Sequence, residues 1–353
     1  MTGKSGAGNG KSALIFGVTG QDGALLAAEL LRQGWTVHGG SRRGHVSKLW
    51  RLEELGIVDR LNLVNINLHE PYQIVEAIGT LKPDHVYHLA AESFVADSFH
   101  QPHSVMGTNV VGTLNVLEAM RVAAPKSRLF FASSAEVFGV PPDTGLLDEH
   151  SPFRPINPYG VSKLAGQNLA RIYRDRFGLP AVCGIMFNHE SPLRARNFVT
   201  RKISFNLARL KLDGGPPMNL GALSSARDWG SAADYAHAIP LAMDLDTPDD
   251  FVFATGRRTS VREFFAYAAA AAGYDPVFEG EGVAETCRDR KTGQALAAVS
   301  EKYFRPFDTQ PLVGNPAHLK QRTGFAGSRD AARVAEDMVA ADLKRRKDGA
   351  IHV

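Results

Sequence analysis

Ser12-Ala13-Leu14-Ile15-Phe16-Gly17-Val18-Thr19-Gly20-Gln21-Asp22-Gly23 is the stretch on which the fold turns. Its first six residues, Ser12 to Gly17, read as a buried strand. Asp22 to Gln33 reads as an amphipathic helix stopped by Gly34. Between them the glycines recur as G-x-x-G-x-x-G. Such a turn closes tightly and brings backbone close to a pyrophosphate at a helix N-terminus, where unpaired N–H groups and the helix dipole favour anions. A competing motif, Gly10-Lys11-Ser12, ends like the phosphate loop of nucleotide hydrolases. It lacks a glycine at Ser5 and precedes the strand instead of following it, so it is set aside.

The same alternation continues outward. Strands are expected at Thr36–Gly40, Leu61–Asn67, Asp84–Leu89, Ser127–Ser133 and Ala181–Phe187. Helices are expected at Val75–Leu81, Val105–Ala123 and Pro158–Phe177. Strands and helices in this rhythm make crossover units and a parallel sheet covered on both faces. The fold class is α/β, a Rossmann-type doubly wound parallel sheet with a smaller mixed α/β C-terminal substrate lobe. Residues 1–11, rich in Gly and Ser, are expected to be a disordered leader. Residues 12–187 form the dinucleotide domain, and residues 188–353 mainly the second lobe, with some segments returning to the first domain. The alanine-rich stretch Phe264–Ala272 and the tail Arg329–Lys347 read as packing helices.

Composition limits the function classes. The 353 residues carry 44% hydrophobic and 22% charged side chains and a net charge of +3. That is ordinary for a globular chain and too weakly basic for a nucleic-acid footprint. Cys183 and Cys287 fit neither a metal spacing nor a disulfide framework, which points to a reducing cytoplasm. No apolar run reaches the roughly 18 residues of a membrane span.

Three further features concern chemistry. The second strand ends in Gly39-Gly40-Ser41-Arg42-Arg43, without the carboxylate that would hydrogen-bond the ribose of NAD. Two guanidinium groups suit a 2′-phosphate, so NADP is the preferred cofactor; a solvated basic turn is the alternative. Tyr159 and Lys163, four apart, share a helix face. An ammonium beside a phenol favours the phenolate and makes Tyr159 a candidate general base for an alcohol. Ser134 and Glu136 sit just after the fifth strand, at the end of a parallel sheet where ligands bind. Lys202, Arg227, Arg305 and Asn188 supply three cations and an amide suited to a diphosphate and a base.

Together these residues resemble the extended short-chain dehydrogenase/reductase superfamily and, within it, the GDP-mannose 4,6-dehydratase family. The narrowest stretches are Phe187–Pro192, Phe198–Ile203, Arg227–Gly230 and Tyr303–Arg305-Pro306. The resemblance implies a redox-neutral lyase with bound NADP and a GDP-sugar substrate, active as a homodimer or homotetramer, with a dimer through the helices around Val105 and Leu164. It implies catalytic roles for Ser134, Glu136, Tyr159 and Lys163. Cofactor contacts would come from Gly17, Thr19, Gly20, Gln21, Asp22, Gly23, Arg42, Arg43, Asn67, Leu68, Leu89, Ala90, Ala91, Ser93, His189 and Arg194, together with Tyr159 and Lys163. Substrate contacts would come from Ser93, Ser134, Glu136, Asn188, Val199, Lys202, Arg227 and Arg305. Ala135 stands where dehydratases of this kind carry a residue able to donate or relay a proton. A related epimerase, reductase or dehydratase acting on another GDP-sugar, such as a GDP-heptose, is therefore a second expectation. A non-catalytic NADP sensor, needing neither the Tyr–Lys pair nor the basic residues, is a third.

Overall fold

The computed structural model describes residues 10–42, 49–140, 145–304 and 311–350; Arg43 and Arg305 lie outside them. The strands are β1 (Ser12–Phe16), β2 (Thr36–Ser41), β3 (Asn62–Asn65), β4 (His85–His88), β5 (Arg128–Ser134), β6 (Ala181–Met186), β7 (His189–Glu190), β8 (Met218–Leu220), β9 (Ala226–Arg227), β10 (Gly230–Ser231), β11 (Asp250–Phe253), β12 (Thr259–Ser260), β13 (Pro276–Glu279), β14 (Thr286–Asp289) and β15 (Ala295–Val299). The helices are α1 (Gln21–Arg32), α2 (Trp50–Glu54), α3 (Pro71–Leu81), α4 (Val95–Ser98), α5 (Pro102–Met106), α6 (Gly112–Ala123), α7 (Pro158–Phe177), α8 (Val199–Leu212), α9 (Ala232–Met243), α10 (Val261–Ala271), α11 (Ala317–Thr323) and α12 (Ala331–Lys347).

Two compact units emerge. The first comprises residues up to Phe187 with Ala232–Phe253 and Gly314–Ala326; the second comprises Asn188–Ser231, Ala254–Val313 and the chain from Gly327. The first unit is built on a seven-stranded sheet in the order β11-β6-β5-β4-β1-β2-β3. Every pairing in it is parallel. β6 is buried along its whole length, which is why it reads as a near-continuous apolar run, and β4 is equally buried although it carries His85 and His88. The order reverses between β1 and β4, so their following loops diverge there and open a crevice at the carboxyl ends.

Three differences from the sequence expectation have physical causes. The seventh strand, β11, is only four residues long and follows a helix containing Pro240, so periodicity does not announce it. The stretch expected as one helix, Val105–Ala123, passes from α5 through a wider π-type turn at Gly107–Val111 into α6. There the buried Asn109 bonds the loop after β4, accepting from the Glu92 N–H at 2.9 Å. Lys11, expected in the disordered leader, already extends the β1–β2 pairing, its carbonyl accepting from Thr36 N at 3.0 Å.

In the second unit, β13, β14 and β15 are antiparallel, and β8 joins β15 in parallel. Apolar faces of α8, α10 and α12 and this sheet share one core that includes Leu207, Phe264, Phe265, Leu296 and Met338. Inside it Arg201 and Asp342, both essentially inaccessible, pair at 2.6 Å, and Arg345 reaches the same carboxylate at 2.9 Å. Among the described residues no helix is long and apolar enough to cross a membrane.

Candidate active site

The turn from β1 into α1 is shaped by what its glycines lack. Gly17 has φ +88°, and a Cβ there would lie 2.8 Å from the backbone nitrogen of Ala90 in the loop after β4. A Cβ on Gly23 would lie 2.2 Å from the Gly17 carbonyl oxygen and 2.7 Å from Val18 Cα. Both obstacles are backbone and cannot rotate aside, so the turn demands glycine at each place. Gly20 caps α1 in extended conformation and brings no side chain to the helix start, while Asp22 lies in the first turn. Gln21 is buried and donates to Asp22 Oδ1 at 3.0 Å. This backbone-lined N-terminus fits a dinucleotide pyrophosphate.

The loop after β4 carries Leu89, Ala90 and Ala91, all half-buried, and the exposed Ser93; Leu89 and Ala90 border Gly17. Arg42 follows β2 and is exposed. Arg51, which the sequence reading missed, extends from α2 to the Thr19 carbonyl at 3.1 Å. Its only sequence signal is a cation on a short helix after the basic turn. Asn67 and Leu68 follow β3. Asn67 Oδ1 accepts from the His69 N–H at 3.2 Å, forming a local turn, while Leu68 joins the core of the first unit.

Pro158 starts α7 at a position where its missing N–H costs nothing, and Asn157 caps it. Tyr159 and Lys163 are both buried, at 8% and 3% exposure. Lys163 Nζ donates to the Ala132 carbonyl on β5 at 2.7 Å and lies 6.0 Å from the Tyr159 ring centre. Burial brings its pKa down from 10.5 to about 8, partly opposed by the Asp22 carboxylate. An amine poised this near neutrality can exchange a proton at working pH.

Ser134 ends β5 and its Oγ accepts from the Glu136 N–H at 3.3 Å, capping a single turn at Ala135–Val137. The hydroxyl proton is thereby kept as a donor. Gly160 allows α7 to approach this turn, since a Cβ there would lie 2.5 Å from the Glu136 carbonyl oxygen. The Glu136 carboxylate accepts from Asn157 Nδ2 at 2.7 Å. Ser134, Glu136, Tyr159 and Lys163 thus lie on two elements pressed together within the first unit. Ala135 is buried and its methyl group offers no proton. Asn157, also missed by sequence, is legible in retrospect as an Asn-Pro helix start.

The remaining candidates belong to the second unit. His189 is buried on β7, and Asn188 accepts from the Gly230 N–H at 2.8 Å. Arg194 pairs with Glu190 at 3.2 Å and stacks 3.5 Å over the Phe198 ring. Val199, the first residue of α8, packs on the core. Lys202 sits 4.3 Å over the Tyr303 ring, and its half-burial lowers its pKa. Arg227 donates to the Ala226 carbonyl at 2.7 Å, while Asp228 accepts from Thr255 and Gly256.

The chain is similar to known proteins over nearly its whole length. The family-wide sequence description of GDP-mannose 4,6 dehydratase matches residues 14–338. GDP-mannose 4,6 dehydratase 2 of Caenorhabditis elegans is 39% identical, covering 94% of this chain and 89% of its own. GDP-mannose 4,6-dehydratase of Yersinia enterocolitica is 35% identical, covering 97% of this chain and 96% of its own. Among solved structures, RMD from Pseudomonas aeruginosa complexed with NADPH superposes with a TM-score of 0.77 at 20% identity, covering 95% of this chain and 99% of that one.

Proposed function

The chain belongs to the GDP-mannose 4,6-dehydratase family, and we propose that it converts GDP-mannose to GDP-4-keto-6-deoxymannose with NADP. The observation that carries this reading is the packing of the Ser134–Glu136 turn against the first turn of the Tyr159 helix. On this reading a base for an alcohol and a base for a carbon acid lie on two adjoining elements.

When bound along the glycine turn, NADP supplies a hydride acceptor at C4 of the sugar and a donor at C6. The chain's own residues do the rest. Tyr159 takes the proton of the 4-hydroxyl, and Ser134 donates a hydrogen bond to the same oxygen. Lys163 stands behind the phenol as the charge that favours its ionised form. The 4-ketone acidifies the C5 proton, which Glu136 removes as hydroxide leaves C6 with a proton, as water. After reduction at C6 a proton returns to C5. One water is lost and no net oxidation occurs. Ala135 cannot supply the leaving proton, so Glu136 or solvent serves that step. Arg42 and Arg43 are assigned to the 2′-phosphate, with Asn67, Leu68, Leu89, Ala90, Ala91, Ser93, His189 and Arg194 completing the cofactor set. The diphosphate and guanine are assigned to Asn188, Val199, Lys202, Arg227 and Arg305. A dimer or tetramer and a cytoplasmic setting complete the reading.

Ala135 favours a second reading, in which the protein oxidises C4 of another GDP-sugar and stops short of elimination, as an epimerase or reductase does. The test is incubation with GDP-mannose and NADP⁺, followed by mass analysis for a product lighter by one water. Glu136→Gln is expected to retain C4 oxidation and lose dehydration. GDP-mannose that binds but yields no dehydrated product refutes the main reading and supports the second.

A further inference from the structure

We propose that Asn157 is a positioning residue for the dehydration half of the reaction, holding the Glu136 carboxylate in register with the helix that carries Tyr159. The inference rests on the assignment of Glu136 as the base at C5. Asn157 is 6% exposed and makes two hydrogen bonds with opposite ends of one amide. Its Oδ1 accepts from the Gly160 N–H at 2.7 Å, and its Nδ2 donates to Glu136 Oε2 at 2.7 Å. The orientation of the amide is forced. A backbone N–H needs an acceptor and a carboxylate needs a donor, so reversing the amide loses both bonds.

A helix cap alone does not need this residue. Serine, threonine and aspartate accept from the same N–H about as well. The asparagine amide accepts from the helix through Oδ1 and reaches the carboxylate through Nδ2, whereas a serine hydroxyl would have to serve both from a single atom closer to the backbone. The consequence is mechanical. Gly160 immediately follows Tyr159, and the missing Cβ at Gly160 lets α7 rest on the Glu136 backbone. The side-chain bond adds a second tie at the carboxylate itself. It fixes one carboxylate oxygen and leaves Glu136 Oε1 outside the Asn157 contact. Asn157 touches neither sugar nor cofactor in this proposal; it acts through Glu136.

The experiment compares the full-length protein with Asn157→Ser, Asn157→Asp and Glu136→Gln, using GDP-mannose and NADP⁺. Serine retains the cap, so the thermal midpoint of Asn157→Ser is expected to match the parent. Asn157→Ser is expected to keep KM within about twofold and to lower kcat roughly 10- to 100-fold, the loss of one hydrogen bond to a charged group. Because C4 oxidation continues while C5 deprotonation slows, reduced nicotinamide is expected to accumulate in a single turnover. A C5-deuterated substrate is expected to show a larger isotope effect on kcat. Asn157→Asp, which sets a second carboxylate against Glu136, is expected to lose more than Asn157→Ser. A kcat for Asn157→Ser within twofold of the parent overturns the proposal. So does a fall in kcat with C4 oxidation slowed in step and no accumulation, which marks Asn157 as a cap only. Glu136→Gln separates the two levels. If it turns over like the parent, the assignment of Glu136 fails and this proposal with it. If it blocks dehydration while Asn157→Ser does not, the proposal alone fails.

Discussion

Lys163→Met is expected to make the cofactor-free protein more stable while abolishing turnover. The lysine is 3% exposed, and burial holds its pKa at about 8 instead of 10.5. At about 1.4 kcal/mol per pH unit, keeping the charge in place at neutral pH costs about 3 kcal/mol. Methionine is of similar length and carries no charge, but it forgoes the hydrogen bond to the Ala132 carbonyl, about 1 kcal/mol. The net gain is about 2 kcal/mol. The pH dependence fixes the cause. Below pH 8 folded and unfolded chains both hold the proton, and the full cost is present. Between pH 8 and 10.5 the unfolded chain binds more protons than the folded one, so parent stability rises with pH. The variant lacks that rise, and its advantage shrinks across the same window. Urea unfolding of both cofactor-free proteins at about pH 7 and again near pH 9.5 measures the gap directly. A variant less stable than the parent at pH 7, or a gap unchanged at the higher pH, refutes the argument that a buried charge is being held at a cost.

Gly23→Ala places a Cβ 2.2 Å from the Gly17 oxygen; it is expected to destabilise by about 1–3 kcal/mol and to weaken dinucleotide binding, both read by thermal melting with and without NADP⁺. Arg42→Ala is expected to weaken NADP binding at least roughly tenfold and leave NAD binding nearly unchanged, by calorimetry. Equal losses for the two cofactors would remove Arg42 from the 2′-phosphate. Asp342→Ala leaves Arg201 and Arg345 buried without their shared carboxylate; a loss of about 3–5 kcal/mol in denaturant unfolding is expected.

The first unit was largely legible because its signals are local. A strand, a glycine turn and a helix occupy consecutive residues from Ser12 to Arg32, and Gly23 is dictated by contacts a few positions away, whereas Gly17 is dictated by Ala90 in the loop after β4. The Tyr159–Lys163 spacing likewise encodes a shared helix face. The second unit was less legible. Its sheet joins β8 to β15 across more than seventy residues, and no short-range pattern records such a pairing. The π-type turn at Gly107–Val111 was hidden for a related reason, since the side chain that stitches it, Asn109, finds its partner in the loop after β4.

The sequence by itself determined the glycine turn and the Tyr–Lys helix face, because each depends on residue type and spacing within one or two turns of chain. Tertiary structure alone decided which groups meet. It set Lys163 against the Ala132 carbonyl in a site that lowers its pKa, pressed Gly160 onto the Glu136 backbone, and gave Asn157 two partners. Desolvation and a hydrogen bond between residues twenty-one apart exist only once β5 and α7 have packed, and no reading of either segment alone contains them.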